Sequence, residues 1–474
     1  MNLKYQIYLP GILSVIFVIG MLFGYGLRNI PVAPNVGWKN ANKDKNTLIE
    51  AIGLINQNYF ERKETSNMVH KALYEMVDEL DPYSMYIPPY HSEMLAVSNK
   101  GIYRGIGIET MDINDKIFIS KLINDGPAYK LNILKGSNLV AIDAIQTKES
   151  NWNTDSLSIY LNDHKEKELQ LVLDHFQYLK PKRFTITPSE VRLLNISESY
   201  RLKEDVGYVR IARFGLESYK DFMTAMEVLL VNDSLSNLII DVRGNPGGYV
   251  QEVCKIISQL LPDRIEFLRT VEANGDSQPF SSLGQAFFHI GNIIVLIDEN
   301  SASASEILAG VLQDMDRAII IGEDSFGKGL VQEQFNLSNG GVIRLSVSRY
   351  QLPSGRFLGQ QDSLQFETLY KKRKLTSKGK IVPDFEIQHH YAVGNKSMFR
   401  AAVQSLNVNN LTSSVEEYLR SIVAEKDSNS NLRYEKASII YNNHKVRKSR
   451  ILNDPLTKKS FQLISEKDKW GILN

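Results

Sequence analysis

At 474 residues the chain is too long for one ordinary domain and suggests about three. With 43% hydrophobic and 23% charged residues it can bury sizeable cores, which excludes a disordered chain. Lys plus Arg (55) nearly balances Asp plus Glu (54), so bulk charge gives no reason to expect nucleic acid as a partner. After a short stub (residues 1–6), residues 7–27 carry no charge, and a run of this length spans a bilayer as a helix. It reads as a membrane span or a signal peptide. Gly24-Tyr25-Gly26-Leu27 is a poor small-x-small cleavage site, which favours an uncleaved anchor. Lys4 opposes Arg28, Lys39, Lys43 and Lys45 across it, so charge leaves the orientation open.

Residues 28–95 read as a connector and a helical region. Leu48, Ile52, Ile55 and Tyr59 recur at helical spacing over residues 46–58, as do Met68, Ala72, Met76 and Leu80 over residues 65–80. Leu80-Asp81-Pro82-Tyr83-Ser84 breaks the second helix and carries no obvious chemistry. Residues 96–182 are rich in strands. Gly105-Ile106-Gly107-Ile108 enters one strand, residues 116–120 form another, Gly126-Pro127-Ala128 turns into a short helix, and residues 135–142 supply a loop and a strand. The glycine pair alone fits an ordinary hairpin as well, but the whole order of elements resembles a PDZ domain. Such a domain captures a peptide's carboxy terminus as an added strand, with loop N–H groups on the carboxylate. Gly105 and Gly107 would let that loop approach closely, and Ile106 and Ile108 would line the pocket for an apolar terminal side chain.

Residues 183–395 read as an α/β unit. Strands are expected over residues 206–211 and 238–242, with an amphipathic helix over 218–230 between them. Arg243-Gly244-Asn245-Pro246-Gly247-Gly248 leads into a helix over residues 250–261. This turn fits a plain strand-to-helix connection and, equally, a cluster of N–H groups converging on an anion. The one cysteine, Cys254, sits in that helix and can form no intramolecular disulfide. Strands over residues 293–297, 318–321 and 341–350 are expected to complete the sheet.

Residues 298–335 read strand, small-residue turn, helix, strand, glycine-flanked lysine, strand. A tight turn opening a helix aims a serine hydroxyl outward while free N–H groups face incoming negative charge. Ser303 or a neighbour could therefore attack a carbonyl, although Ser-Ala-Ser-Ala-Ser also suits a plain helix cap. No histidine base lies nearby in sequence. Lys328, between Gly327 and Gly329 and flanked by apolar strands, sits where desolvation would lower an amine's pKa, and a neutral lysine can act as general base. Gln332 lies on the same face as Lys328 if the segment is extended. Gly322 to Lys328 nearly satisfies the phosphate-loop pattern, but Gly329 offers no hydroxyl for magnesium and a strand, not a helix, follows.

Ser301-Ala302-Ser303-Ala304-Ser305-Glu306, followed by Ser325-Phe326-Gly327-Lys328-Gly329-Leu330-Val331-Gln332, resembles the carboxyl-terminal processing (tail-specific) proteases, which use a Ser-Lys dyad. The resemblance covers residues 45–390 and implies a ClpP/crotonase-like mixed sheet with helices, joined to the β-rich PDZ domain. It implies Ser303 as nucleophile, Lys328 as general base and Gln332 as the residue orienting the lysine. It also implies the Gly248 and Ala304 N–H groups as the oxyanion hole, with Asp241 and Arg243 stabilising the turn. Asn300 departs from the glycine the family commonly has there. The implied substrates are proteins with free carboxy termini, met outside the cytoplasm by a membrane-anchored body with no cofactor. A homo-oligomer or an adaptor protein is a further expected partner. A membrane-tethered PDZ scaffold with an inactive protease fold is the alternative, against which the intact Ser303, Lys328 and Gln332 argue.

Residues 360–380 are longer and more basic than the family's compact link, and read as a surface hairpin or loop. The tail, residues 396–474, turns polar, with helices expected over residues 415–424 and 432–443. Eight histidines, His389-His390 among them, form no metal-binding spacing.

Overall fold

The computed structural model describes residues 41–61, 65–89, 101–175, 177–230, 235–262, 264–282, 284, 286–360, 364–387 and 444–466. The expected anchor at residues 7–27 and the expected tail helices at 415–424 and 432–443 lie outside them. Among the described residues no helix is long and apolar enough to cross a membrane. The chain divides into two compact units, Met1–Met76 and Val77–Asn474. In the first, the helix Ala41–Asn58 carries the expected apolar stripe, whose Leu48, Ile52 and Ile55 are exposed. The helix Thr65–Asp78 stops just before Leu80-Asp81-Pro82, because a residue preceding proline is pushed out of helical geometry.

The second unit is built on a six-stranded sheet in the order Ile196–Lys203, Val206–Ile211, Asn237–Asp241, Asn292–Ile297, Ala318–Gly322, Phe385–Glu386. The first pair is antiparallel and the rest are parallel. Near-continuous apolar runs such as residues 293–297 suit a sheet covered on both faces. One face carries the helices Ser218–Leu230, Val250–Ser258 and Ala304–Asp314, packed through Phe222, Met226, Ile256 and Leu308. The other is covered by His444–Asn453 and Pro455–Ser465, which bury Ile451, Leu456 and Leu463 against Ile239, Ile294 and Ile319. Each such buried aliphatic side chain contributes about 1.5–3 kcal/mol, so this pair of tail helices is an integral layer.

The strand Val342–Gln351, expected in this sheet, instead belongs to a separate five-stranded antiparallel sheet with Met85–Ile87, Glu266–Glu272, Ser277–Ser281 and Leu330–Asn336. Its Arg344 and Arg349 leave most of its length only half-buried, and such a strand cannot sit among fully buried parallel neighbours. Residues 101–186 contain a further six-stranded sheet, Ile108–Ile113, Lys116–Leu122, Asn138–Ile142, Leu169–Asp174 and Lys182–Ile186 with Ile145–Gln146 paired to Asn138–Ile142, and it has its own core of Ile117, Ile119, Leu139, Leu157 and Leu171. This module runs past the expected boundary at residue 182, because Lys182–Ile186 pairs with Leu169–Asp174. The basic segment is a hairpin, Leu364–Glu367 with Lys374–Ser377. Its Arg373 is structural, ion-paired to Asp316 and Asp384 at 2.8 and 2.6 Å.

Candidate active site

The strand Asn292–Ile297 delivers the chain to a tight turn that opens the helix Ala304–Asp314. Of the three serines there, Ser301 donates to the Val242 carbonyl and Ser305 to the Asn245 carbonyl, both at 2.9 Å and both fully buried. Only Ser303 is half-buried and lines a cleft. Its backbone is left-handed, φ 54° and ψ −113°, a conformation that costs a non-glycine residue about 1–3 kcal/mol. The cost is offset locally. Ser303 N–H donates to Glu306 Oε2 at 2.8 Å, its carbonyl accepts from the Glu306 and Ile307 N–H groups, and Ala302 N–H donates to the Asn245 carbonyl. Asn300 is not among the residues with left-handed backbone, so the family's glycine is not required there.

The turn of residues 243–248 lies against the serine. A Cβ on Gly247, at φ 97°, would stand 2.7 Å from the Ala302 carbonyl oxygen and 2.9 Å from Ser303 Cβ. One on Gly248 would meet the Phe214 carbonyl oxygen at 2.1 Å. Only glycines permit this approach. The N–H groups of Gly248 and Ala304 make no hydrogen bond among the described residues, which leaves both available to an oxyanion. Behind the turn lies a buried ion network. Arg243 pairs with Asp241 at 2.6 Å and Asp454 at 2.9 Å, and Arg210 with Asp241 at 3.1 Å. Burial pushes the Asp241 carboxyl up, but Arg243 and Arg210 hold it below the usual range. The Asp241 and Arg243 pair thus sits directly behind the turn and links it to Asp454.

Lys328 is tied to the serine turn through Glu306. The fully buried Glu306 carboxylate accepts the N–H groups of Ser303 and Lys328 on Oε2, and Gly327 N–H and the Ser325 hydroxyl on Oε1, all at 2.5–2.8 Å. The Lys328 amine has its pKa lowered, first by burial and second by the Arg344 charge, against a raising influence from Glu306 and Asp81. Its Nζ lies 5.4 Å from the centre of the Tyr83 ring. No hydrogen bond joins it to Ser303 among the described residues. Gln332 does not hold the lysine here: its Nε2 donates to the Tyr83 carbonyl at 2.6 Å. Residues 80–84, which show no obvious chemistry in the sequence, thus enter the site. Asp81 accepts from Ser84 and from the Ser346 hydroxyl and fixes the segment to the strand Val342–Gln351.

Ser303, Lys328, Gln332, Gly247 and Gly248 line one cleft of about 1340 Å³, whose other wall includes Glu109, Thr110 and Met111 of the 101–186 module. The loop of Gly105, Ile106, Gly107 and Ile108 does not line it. Ile106 is 2% exposed and belongs to the module's core, so it underlies any pocket there rather than lining it, and Ile108 is half-buried. The N–H groups of Ile106 and Gly107 make no hydrogen bond among the described residues, whereas their carbonyls accept from Ala128 and Ile123.

A strained serine at a helix start, two free N–H groups and a half-buried lysine on an α/β core are the apparatus of a serine-type peptidase. The profile of peptidase family S41 matches residues 205–365. The carboxy-terminal-processing protease of Bartonella bacilliformis is 31% identical over 296 residues, covering 62% of this chain and 67% of that protein. The carboxy-terminal processing protease CtpB of Bacillus subtilis is 29% identical over 365 residues, covering 73% and 75%. The carboxyl-terminal-processing protease of Synechocystis is 29% identical over 339 residues, covering 70% and 77%. The chain belongs to the carboxy-terminal processing proteases of peptidase family S41, and it is a serine-type peptidase.

Proposed function

We propose that this peptidase is membrane-anchored, acts outside the cytoplasm, and cleaves proteins near their carboxy termini with a dyad of Ser303 and Lys328. The neutral Lys328 amine takes the Ser303 hydroxyl proton as Oγ attacks the scissile carbonyl carbon. The oxyanion is received by Gly248 and Ala304 N–H, and the lysine ammonium then protonates the departing amine. Water hydrolyses the acyl-enzyme by the same proton route. Engagement requires the lysine head to leave the Tyr83 ring for Ser303 and Gln332 to leave the Tyr83 carbonyl and support the amine. Catalytic hydrogen bonds often tighten only once substrate is bound. The observation that carries this reading is that Ser303 alone of the three serines faces the cleft that Lys328 and Gly248 also line.

The 101–186 module serves as a PDZ domain in this reading, binding a terminal carboxylate on the unused N–H groups of Ile106 and Gly107. The anchor is residues 7–27, and homo-oligomers or adaptors are its further partners. The test uses the full chain and an unstructured substrate protein, free or amidated at its terminus. Ser303→Ala and Lys328→Ala should each abolish cleavage with the thermal midpoint held. The double variant should be no worse than either single, because members of one catalytic unit are non-additive. Near wild-type cleavage by either single variant would end the dyad assignment, and equal cleavage of free and amidated substrate would remove the carboxylate-capture role.

A further inference from the structure

Beside the proposed dyad the cleft contains a cation that neither gives nor takes the transferred proton, although its charge helps to lower the Lys328 pKa. Arg344 pairs with Gln334 across the ladder between Val342–Gln351 and Leu330–Asn336, and two positions along Ser346 pairs with Gln332. Residues paired directly or two apart share one face of a sheet, so Arg344, Gln334 and Gln332 form a row. All three line the cleft with Ser303 and Lys328. Of the cleft's other arginines, the two that are buried are engaged, Arg210 with Asp241 and Arg243 with Asp241 and Asp454, while Arg213 and Arg450 are half-buried like Arg344 but do not stand in this row. The Arg344 guanidinium has no ion pair or side-chain hydrogen bond among the described residues. It is half-buried, and burial alone pulls its pKa down, with no carboxylate offsetting that loss. A guanidinium in this state has a fork of donors suited to a carboxylate and has already lost part of its hydration.

We propose that Arg344 is a specificity determinant that receives a carboxylate of the bound peptide, either an acidic side chain near the cut or the terminal carboxylate. This rests on cleavage at Ser303, yet it concerns which peptides are accepted rather than how the bond breaks. The test compares three peptides on the full chain: a cleaved peptide carrying Glu near the cut and a free terminus, the same with Gln for Glu, and the same amidated. Rates are read on the alkaline plateau, so that Lys328 ionisation does not enter. Wild type should lose about tenfold or more in kcat/KM on one neutralisation, as for a lost charge-assisted hydrogen bond. Arg344→Gln should abolish that difference and Arg344→Lys should keep part of it. Sensitivity to Gln assigns the side chain, and sensitivity to the amide assigns the terminus. An amide penalty that persists in Arg344→Gln belongs to the 101–186 module. Affinities of the same peptides for Ser303→Ala, with and without Arg344→Gln, repeat the comparison without cleavage and separate failure of this proposal from failure of the dyad. Unchanged ratios between wild type and Arg344→Gln in both measurements would overturn it.

Discussion

Glu306 Oε2 accepts the backbone N–H of Lys328 at 2.8 Å, and the same oxygen accepts that of Ser303. One carboxylate thus fixes both turns of the candidate dyad and holds Ser303 in its left-handed conformation. Glutamine offers one acceptor oxygen where four donors converge, and each buried donor left unpaired costs about 1–3 kcal/mol. Glu306→Gln should therefore lower the urea midpoint and reduce kcat more than tenfold, roughly the effect of losing a positioned oxyanion or nucleophile geometry. Urea unfolding and steady-state kinetics check this together, and a destabilised enzyme with unchanged kcat would show that Ser303 holds its backbone without the carboxylate.

The pH profile tests the base. The Lys328 amine is lowered from 10.5, first by burial and then by Arg344, while Glu306 and Asp81 pull the other way. Only the neutral amine accepts a proton, so kcat should be low while Lys328 is protonated and rise with pH through its pKa. Removing a lowering charge raises that pKa, so Arg344→Gln should shift the rising limb to higher pH. Removing a raising charge should move it lower in Asp81→Asn. A limb that moves in neither variant, with a midpoint near the histidine value of about 6.5, would direct attention away from Lys328.

The parts of the site readable from the sequence are those whose chemistry requires neighbours in sequence. A nucleophile at a helix start, a glycine turn and a glycine-flanked lysine each occupy a few consecutive residues, and Ser303, Gly248 and Lys328 meet in one cleft. Contacts that depend on the tertiary fold leave no such trace. Tyr83 reaches Gln332 across 249 positions and Asp454 reaches Arg243 across 211, and neither segment has a spacing that announces its partner. The strand Val342–Gln351 shows a β pattern, but its sheet is chosen by partners that leave room for the half-buried Arg344 and the exposed Arg349. Gln332 was legible as a polar residue on the lysine's side of an extended segment, whereas its bond to the Tyr83 carbonyl depends on where residues 80–84 settle.

Asp454 offers a test of whether the tail layer reaches the chemistry. Its Oδ2 accepts Arg243 Nη1 at 2.9 Å, and Arg243 opens the turn that ends at Gly248. Its Oδ1 also accepts Thr457 N–H at 3.0 Å, capping the helix Pro455–Ser465. Asparagine keeps a capping oxygen but removes the charge, so Asp454→Asn isolates the ion pair. Arg243 retains Asp241, which limits the loss to about 1–3 kcal/mol, below the roughly 3–5 kcal/mol of a fully orphaned buried charge. Asp454→Ala should lose about 1 kcal/mol more through the missing cap. If the turn depends on this pair, kcat should fall several-fold in Asp454→Asn at a temperature where it is fully folded, with KM little changed, because oxyanion stabilisation acts on the transition state. A lowered thermal midpoint with wild-type kcat would instead make the tail helices a stabilising cover with no part in positioning Gly248.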